Sequence, residues 1–193
     1  MSASPGASGW RWRCGSWRPD AGLVTCWERQ LRPVVKGLGL ELRREDPEAD
    51  AAFLDHLYAT TRAEELAQTG WSAAEVQRFL HDQSRLQRAH YREHYPDAAF
   101  LLILAGGDPI GRLYLDERAD ELRLMDIALL PEWRGGGRGS AILRALQEQS
   151  RVRGLAVTLH VEPFNPAAGL YRKLGFEVVD TRGVYQFMRW VAA

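Results

Sequence analysis

"LLPEWRGGGRGSAILRALQEQ", residues 129–149, crowds four glycines into positions 135–139 and puts Arg134 and Arg138 among them. Each glycine loses more backbone freedom on folding than another residue would. The stretch follows an apolar run, "ELRLMDIAL", and precedes Ile142, Leu143 and Leu146 at helical spacing. It therefore reads as a strand-to-helix junction. A phosphate-binding Walker loop is excluded because no lysine follows the glycines. A dinucleotide fingerprint is excluded because Ser140 or Ile142 stands where its third glycine belongs. The pattern Arg-x-x-Gly-x-Gly, from Arg134 to Gly139, fits without a gap. A helix starting near Gly137 turns unpaired amides and a positive dipole end outward. That end suits a diphosphate, the missing β-carbons allow close approach, and Arg134 and Arg138 add charged donors.

Around this junction the composition is that of one globular domain: 193 residues, 46% apolar, with 25 basic and 25 acidic side chains. Zero net charge argues against a uniformly basic nucleic-acid surface. All but two of the basic residues are arginine, a bias that fits a GC-rich bacterial genome. The cysteines are Cys14 and Cys26, so the remainder has no thiol for a disulfide, a zinc cluster or a nucleophile. No run is long and apolar enough for a membrane span, and the first residues lack an apolar signal core. A cytoplasmic protein with no metal is the expectation.

Residues 1–37 stand apart as an Arg/Trp-rich N-terminal extension, with Trp10, Trp12, Trp17 and Trp27 and no sustained period. They read either as a poorly ordered segment or as an aromatic-basic arm for nucleic acid or a membrane. From Leu38 to residue 193 the pattern is regular. It gives a strand ("LGLELRRE"), two helices, the second opened by a Ser72/Glu75 capping box, and a hairpin ("AAFLLILA", "IGRLYLDE"). The strand and helix of the junction follow, then "GLAVTLHVE", a short helix and two closing strands. This is an α/β (α+β) single domain around one mixed sheet.

Two motifs in order, "IALLPEWRGGGRGSAILRAL" and "VEPFNPAAGLYRKLGF", resemble the GNAT superfamily of N-acetyltransferases over Leu38 to Trp190. The resemblance implies a twisted, mostly antiparallel sheet of about seven strands flanked by about four helices. It implies acetyl-CoA as cosubstrate, an amine-bearing acceptor and direct acetyl transfer. The alternative is a non-catalytic acyl-CoA-binding or regulatory module on the same fold. An exposed edge strand in similar proteins also implies a homodimer.

Residue by residue, the resemblance implies that the backbone of Ile127, Ala128 and Leu129 binds the pantetheine arm as an added strand would. Gly135, Gly136, Gly137, Arg138, Gly139 and Ser140, with Arg134, hold the diphosphate. Asn165 caps the short helix and contacts the cofactor, and Tyr171 protonates the leaving thiolate. An ammonium must lose a proton before it attacks. The candidate bases are His160, Glu162 and Asp126 in that order, or a water wire. The helices over 48–68 and 72–95, which carry Glu64 and Glu65, form one wall of the acceptor site.

Overall fold

The computed structural model describes residues 26–66 and 69–192. In chain order they form α1 (Cys26–Gly37), β1 (Glu41–Arg44), α2 (Ala51–Leu66), α3 (Ala73–His94), β2 (Ala99–Ala105), β3 (Asp108–Glu117) and β4 (Glu121–Leu129). A 3-10 turn (Pro131–Trp133) leads to α4 (Arg138–Arg153), β5 (Ala156–Val161), α5 (Ala167–Lys173), β6 (Glu177–Arg182) and β7 (Tyr185–Trp190). The strands lie in the order β1-β2-β3-β4-β5-β7-β6. Among the described strands, only β4 and β5 run parallel, as the intervening α4 crossover requires.

Period-2 alternation gives the sheet two apolar faces. Leu101, Ile103, Leu113, Leu115, Leu122 and Leu124 point to the layer made by α1, α4 and α5, which forms the main core. Leu102 and Leu104 point the other way, against Leu54 of α2. On that second face α3 packs Tyr91 edge-on against Tyr114, with ring centroids 5.9 Å apart. The capping box at Ser72 and Glu75 is present: the Ser72 hydroxyl accepts from the Glu75 amide, and Glu75 accepts from the Ser72 amide at 2.8 Å.

The expected boundary after residue 37 moves. Residues 26–37 form α1, and Trp27, Leu31 and Val35 are 3%, 0% and 1% exposed in the main core. Their spacing of four residues puts all three on one helix face. The Trp27 indole N–H donates to Glu117 at 2.7 Å, which supplies the polar partner that a buried tryptophan needs. Helix α1 is therefore part of the domain and is the fifth helix. The rest of the expected extension, with Trp10, Trp12 and Trp17, lies outside the described residues.

One irregularity shapes the centre of the sheet. Leu115 faces Leu124, but Tyr114 faces Asp126, so Met125 is an extra residue in β4. Such a bulge bends its strand and re-aims the side chains beyond it.

Candidate active site

The pairing of β4 with β5 runs from Glu121–Ala156 to Leu124–Leu159 and stops there. Past the Met125 bulge, β4 continues to Leu129 and stays paired with β3 alone. Among the described residues, the backbone of Asp126, Ile127, Ala128 and Leu129 thus has an open side toward β5. Met125 through Ala128 are only half-buried, as expected along an open cleft. A free strand edge inside a fold is a template for an extended ligand.

The cleft leads to the glycine loop. Gly135 and Gly137 have φ of 78° and 75°, a region that glycine enters without steric cost. Gly137 is the N-terminal cap of α4, and its carbonyl accepts from Ala141 at 2.9 Å. Among the described residues, no acceptor meets the amides of Gly135, Gly136, Gly137, Arg138, Gly139 or Ser140. The four glycines here are exposed or half-buried, and a β-carbon on Gly139 would touch nothing. The start of α4 therefore carries the expected run of amides without partners among the described residues.

The two arginines are placed differently from a simple pair of phosphate donors. Arg134 Nε donates to the Leu129 carbonyl at 2.7 Å, and its Nη2 donates to Thr60 Oγ1 at 2.9 Å. It ties the loop to the end of β4 and to α2. Arg138 lies over the Trp133 ring, 4.9 Å from its centroid.

Tyr171 is 7% exposed on α5, with its ring edge-on to Phe176 at 5.7 Å. Burial, then the charge of Asp126, pushes its phenol above the usual tyrosine range. It is a neutral O–H at physiological pH, the form that a proton donor needs. Asn165 Oδ1 accepts from the Ala167 amide at 2.9 Å, and Pro166 between them is already helical. Asn165 thus meets one amide of the first turn of α5, while the cap position itself is taken by Pro166.

The three candidate bases occupy different surroundings. His160 is exposed and tilted against Phe187 at 4.9 Å. Partial burial, then Arg123 and Arg182, lowers its pKa, so its imidazole is neutral near pH 7. Glu162 sits 3.7 Å from Arg62 of α2. Asp126 is the carboxylate whose charge reaches Tyr171. It is held by Arg112, whose Nη2 lies 2.6 Å from its Oδ2. The side chains of Glu64 and Glu65 lie outside the described residues.

Arg112, Gln87 and Thr60 were not legible as site residues. Arg112 had one sequence signal, an arginine on the same strand face as Tyr114 inside the apolar run "IGRLYL". Among the described residues, no cluster of three or more metal-ligating side chains is present.

A family model described as the Acetyltransferase (GNAT) family matches residues 59–176, more than half of the chain. The protein belongs to that family. Its segment of 78 residues is 41% identical to a mycothiol acetyltransferase of Saccharomonospora viridis, covering 39% of this chain and 22% of that one. A segment of 86 residues is 35% identical to the [Ribosomal protein bS18]-alanine N-acetyltransferase of Haemophilus influenzae, covering 44% and 59%. The chain spans 22% to 59% of the length of these relatives. Among solved structures, the fold is similar to the PaiA N-acetyltransferase of Thermoplasma acidophilum in complex with coenzyme A. That match has a TM-score of 0.57 at 22% identity and covers 79% of this chain and 99% of that one. PH1933 of Pyrococcus horikoshii gives a TM-score of 0.62 at 16% identity, with 80% and 99% covered. These likenesses establish the fold.

Proposed function

We propose that the protein moves an acetyl group from acetyl-CoA to a primary amine, either of a small molecule or of a protein. The observation that carries this reading is the run of unpartnered amides from Gly135 to Ser140, next to the open edge of β4. The amides and the α4 dipole neutralise the diphosphate. The free edge of Ile127, Ala128 and Leu129 holds the pantetheine arm extended. One amide near Ile127 faces the thioester oxygen and stabilises the charge that develops there.

The donor supplies an activated thioester. The acceptor ammonium first gives a proton to a base. Its nitrogen then forms the C–N bond as the C–S bond breaks. Tyr171 donates its phenol proton to the departing sulfur and recovers one from the new amide nitrogen. Transfer is direct, since no cysteine follows Cys26 to carry the acetyl group. No metal takes part. The proposed setting is the cytoplasm; no helix among the described residues is long and apolar enough to cross a membrane.

The test is thiol release from acetyl-CoA with a panel of polyamines, amino sugars and alanine-initiated peptides, beside thermal stabilisation by acetyl-CoA. The expected result is stabilisation plus release with at least one class. Absence of stabilisation at millimolar acetyl-CoA would remove the reading. Stabilisation without any release would favour a binding module.

A further inference from the structure

Arg112 lies on a central strand and is 2% exposed. A guanidinium cannot shed its charge, so its burial costs stability unless an anion accompanies it. Among the described residues, its ion-pair partner is Asp126 alone, with Nη2 2.6 Å from Oδ2. The same nitrogen meets Gln87 Oε1 of α3 at 2.8 Å. The guanidinium lies over the Tyr114 ring, 5.0 Å from its centroid. Its Nε and Nη1 find no partner among the described residues. Replacing such a pair with apolar residues is often neutral or favourable for stability. The arrangement therefore serves the position and charge of Asp126 more than the core.

Geometry shows what is being positioned. Register puts Asp126 opposite Tyr114 and Ala128 opposite Arg112, so Asp126 and Arg112 are diagonal neighbours on one face. Asp126 reaches that face because of the Met125 bulge, at the point where β4 leaves β5. One carboxylate oxygen is clamped. The other, Oδ1, has no donor among the described residues and is not among the fully buried unpaired atoms. The groups facing Asp126 are Arg112 and Tyr114 from β3, Tyr91 beside Gln87 from α3, and Tyr171 from α5.

Resting on the acetyl-transfer reading above, we propose that Arg112 and Gln87 are positioning residues. They hold one oxygen of Asp126 so that the other is offered, as a carboxylate, to the acceptor nitrogen. The acceptor then arrives as an alkylammonium. Its N–H bond breaks, an O–H bond forms on Asp126, and the nitrogen lone pair is free for the thioester carbonyl. The proton on Asp126 passes to solvent after transfer.

The test measures kcat and KM across pH for the full-length wild type, Asp126→Asn, Arg112→Met, Arg112→Lys and Gln87→Met. The acceptor is the best alkylamine from the panel, and acetyl-CoA affinity is measured separately by calorimetry. Asp126→Asn lowers kcat by about 100-fold, with acetyl-CoA affinity unchanged. Arg112→Met lowers kcat by about tenfold or more with KM and acetyl-CoA affinity unchanged, because the released carboxylate no longer holds one oxygen toward the nitrogen. Arg112→Lys keeps a charged donor to Asp126 and recovers much of that kcat. A purely structural Arg112 would lower the melting temperature and leave kcat where it is, which overturns the proposal. So does full kcat in Asp126→Asn. Should Arg112→Met fail to fold, Gln87→Met carries the test: kcat falls several-fold with KM unchanged, and wild-type kcat contradicts the clamp. A wild type that binds acetyl-CoA but acetylates no amine removes the acetyl-transfer reading and this inference together. An active wild type with silent variants removes the clamp alone.

Discussion

Gly111 on β3 and Ala128 on β4 lie so close that a β-carbon on Gly111 would overlap the Ala128 carbonyl oxygen, with Leu129 Cδ2 at 2.7 Å. Gly111 pairs directly with Leu129, the last residue of the open edge. The two backbones can approach because no side chain separates them. Gly111→Ala must push Ala128 and Leu129 outward, into the space assigned to the pantetheine arm. The expected outcome is a folded protein with acetyl-CoA affinity weakened by about tenfold or more, roughly the 1.4 kcal/mol that such a factor represents. Calorimetric titration checks it.

Gly137→Ala places a β-carbon in the left-handed region at φ 75°, where nothing else lies within 4 Å. The penalty is thus backbone strain alone, roughly 1–2 kcal/mol. The chain relieves it by rotating the peptide groups of the loop, and the amides of Arg138 and Gly139 turn with them. Urea denaturation should show the stability loss, and CoA titration should show weakened binding. An unchanged CoA affinity alongside lost stability would separate the loop from the diphosphate.

Tyr171→Phe keeps the ring and its contact with Phe176 while removing the proton. The expected loss in kcat is about 100-fold, within the usual range for a positioned acid, with cofactor affinity unchanged. The wild-type pH profile carries a second check. Burial and Asp126 raise the Tyr171 pKa, so the phenol stays protonated through its ordinary value of 10.0. Its ionisation therefore produces no alkaline loss of kcat below pH 10. In linkage terms, the raised pKa contributes stability that is fully present below 10 and is lost as pH rises through the folded-state value. A decline near pH 8 that Tyr171→Phe abolishes would contradict the environment described.

Much of the fold could be read from pattern, because strands and helices with one apolar face announce their period. The capping box at Ser72, the hairpin from Ala99 to Glu117 and the junction at Gly137 are of this kind. Asp126 illustrates what pattern misses. Strict alternation through "ELRLMDIAL" sets it on the face of Leu122 and Leu124, inside the main core. One extra residue, Met125, carries it to the opposite face beside Arg112. A bulge leaves no mark in a single sequence, so the pair could not be anticipated. His160 shows the complementary problem. Alternation orients its side chain, yet the stacking on Phe187 is a contact with a strand that follows it by more than twenty residues.

Helix α1 was obscured by the glycine- and arginine-rich sequence before it, although Trp27, Leu31 and Val35 repeat every four residues. Its place in the core makes a quantitative prediction. Trp27→Ala removes a large buried ring and leaves the Glu117 carboxylate without that donor. Deleting a buried aromatic costs about 3–5 kcal/mol. Urea denaturation monitored by circular dichroism should show a loss of that size. A loss below about 0.5 kcal/mol, the size typical of a surface substitution, would return this segment to a peripheral role.

The central claim is that the amides at the start of α4 grip a diphosphate while the freed edge of β4 aligns the thioester arm. Amide-resolved NMR with CoA, and with pantetheine as the fragment lacking the diphosphate, tests it most directly. With CoA, the largest shifts should fall on Gly135 through Ser140 and on Ile127 through Leu129. With pantetheine, the glycine amides should stay in place and affinity should fall by about 100-fold, the loss of several charge-assisted hydrogen bonds. CoA that saturates the protein without moving the glycine amides, or that binds no tighter than pantetheine, would contradict the account.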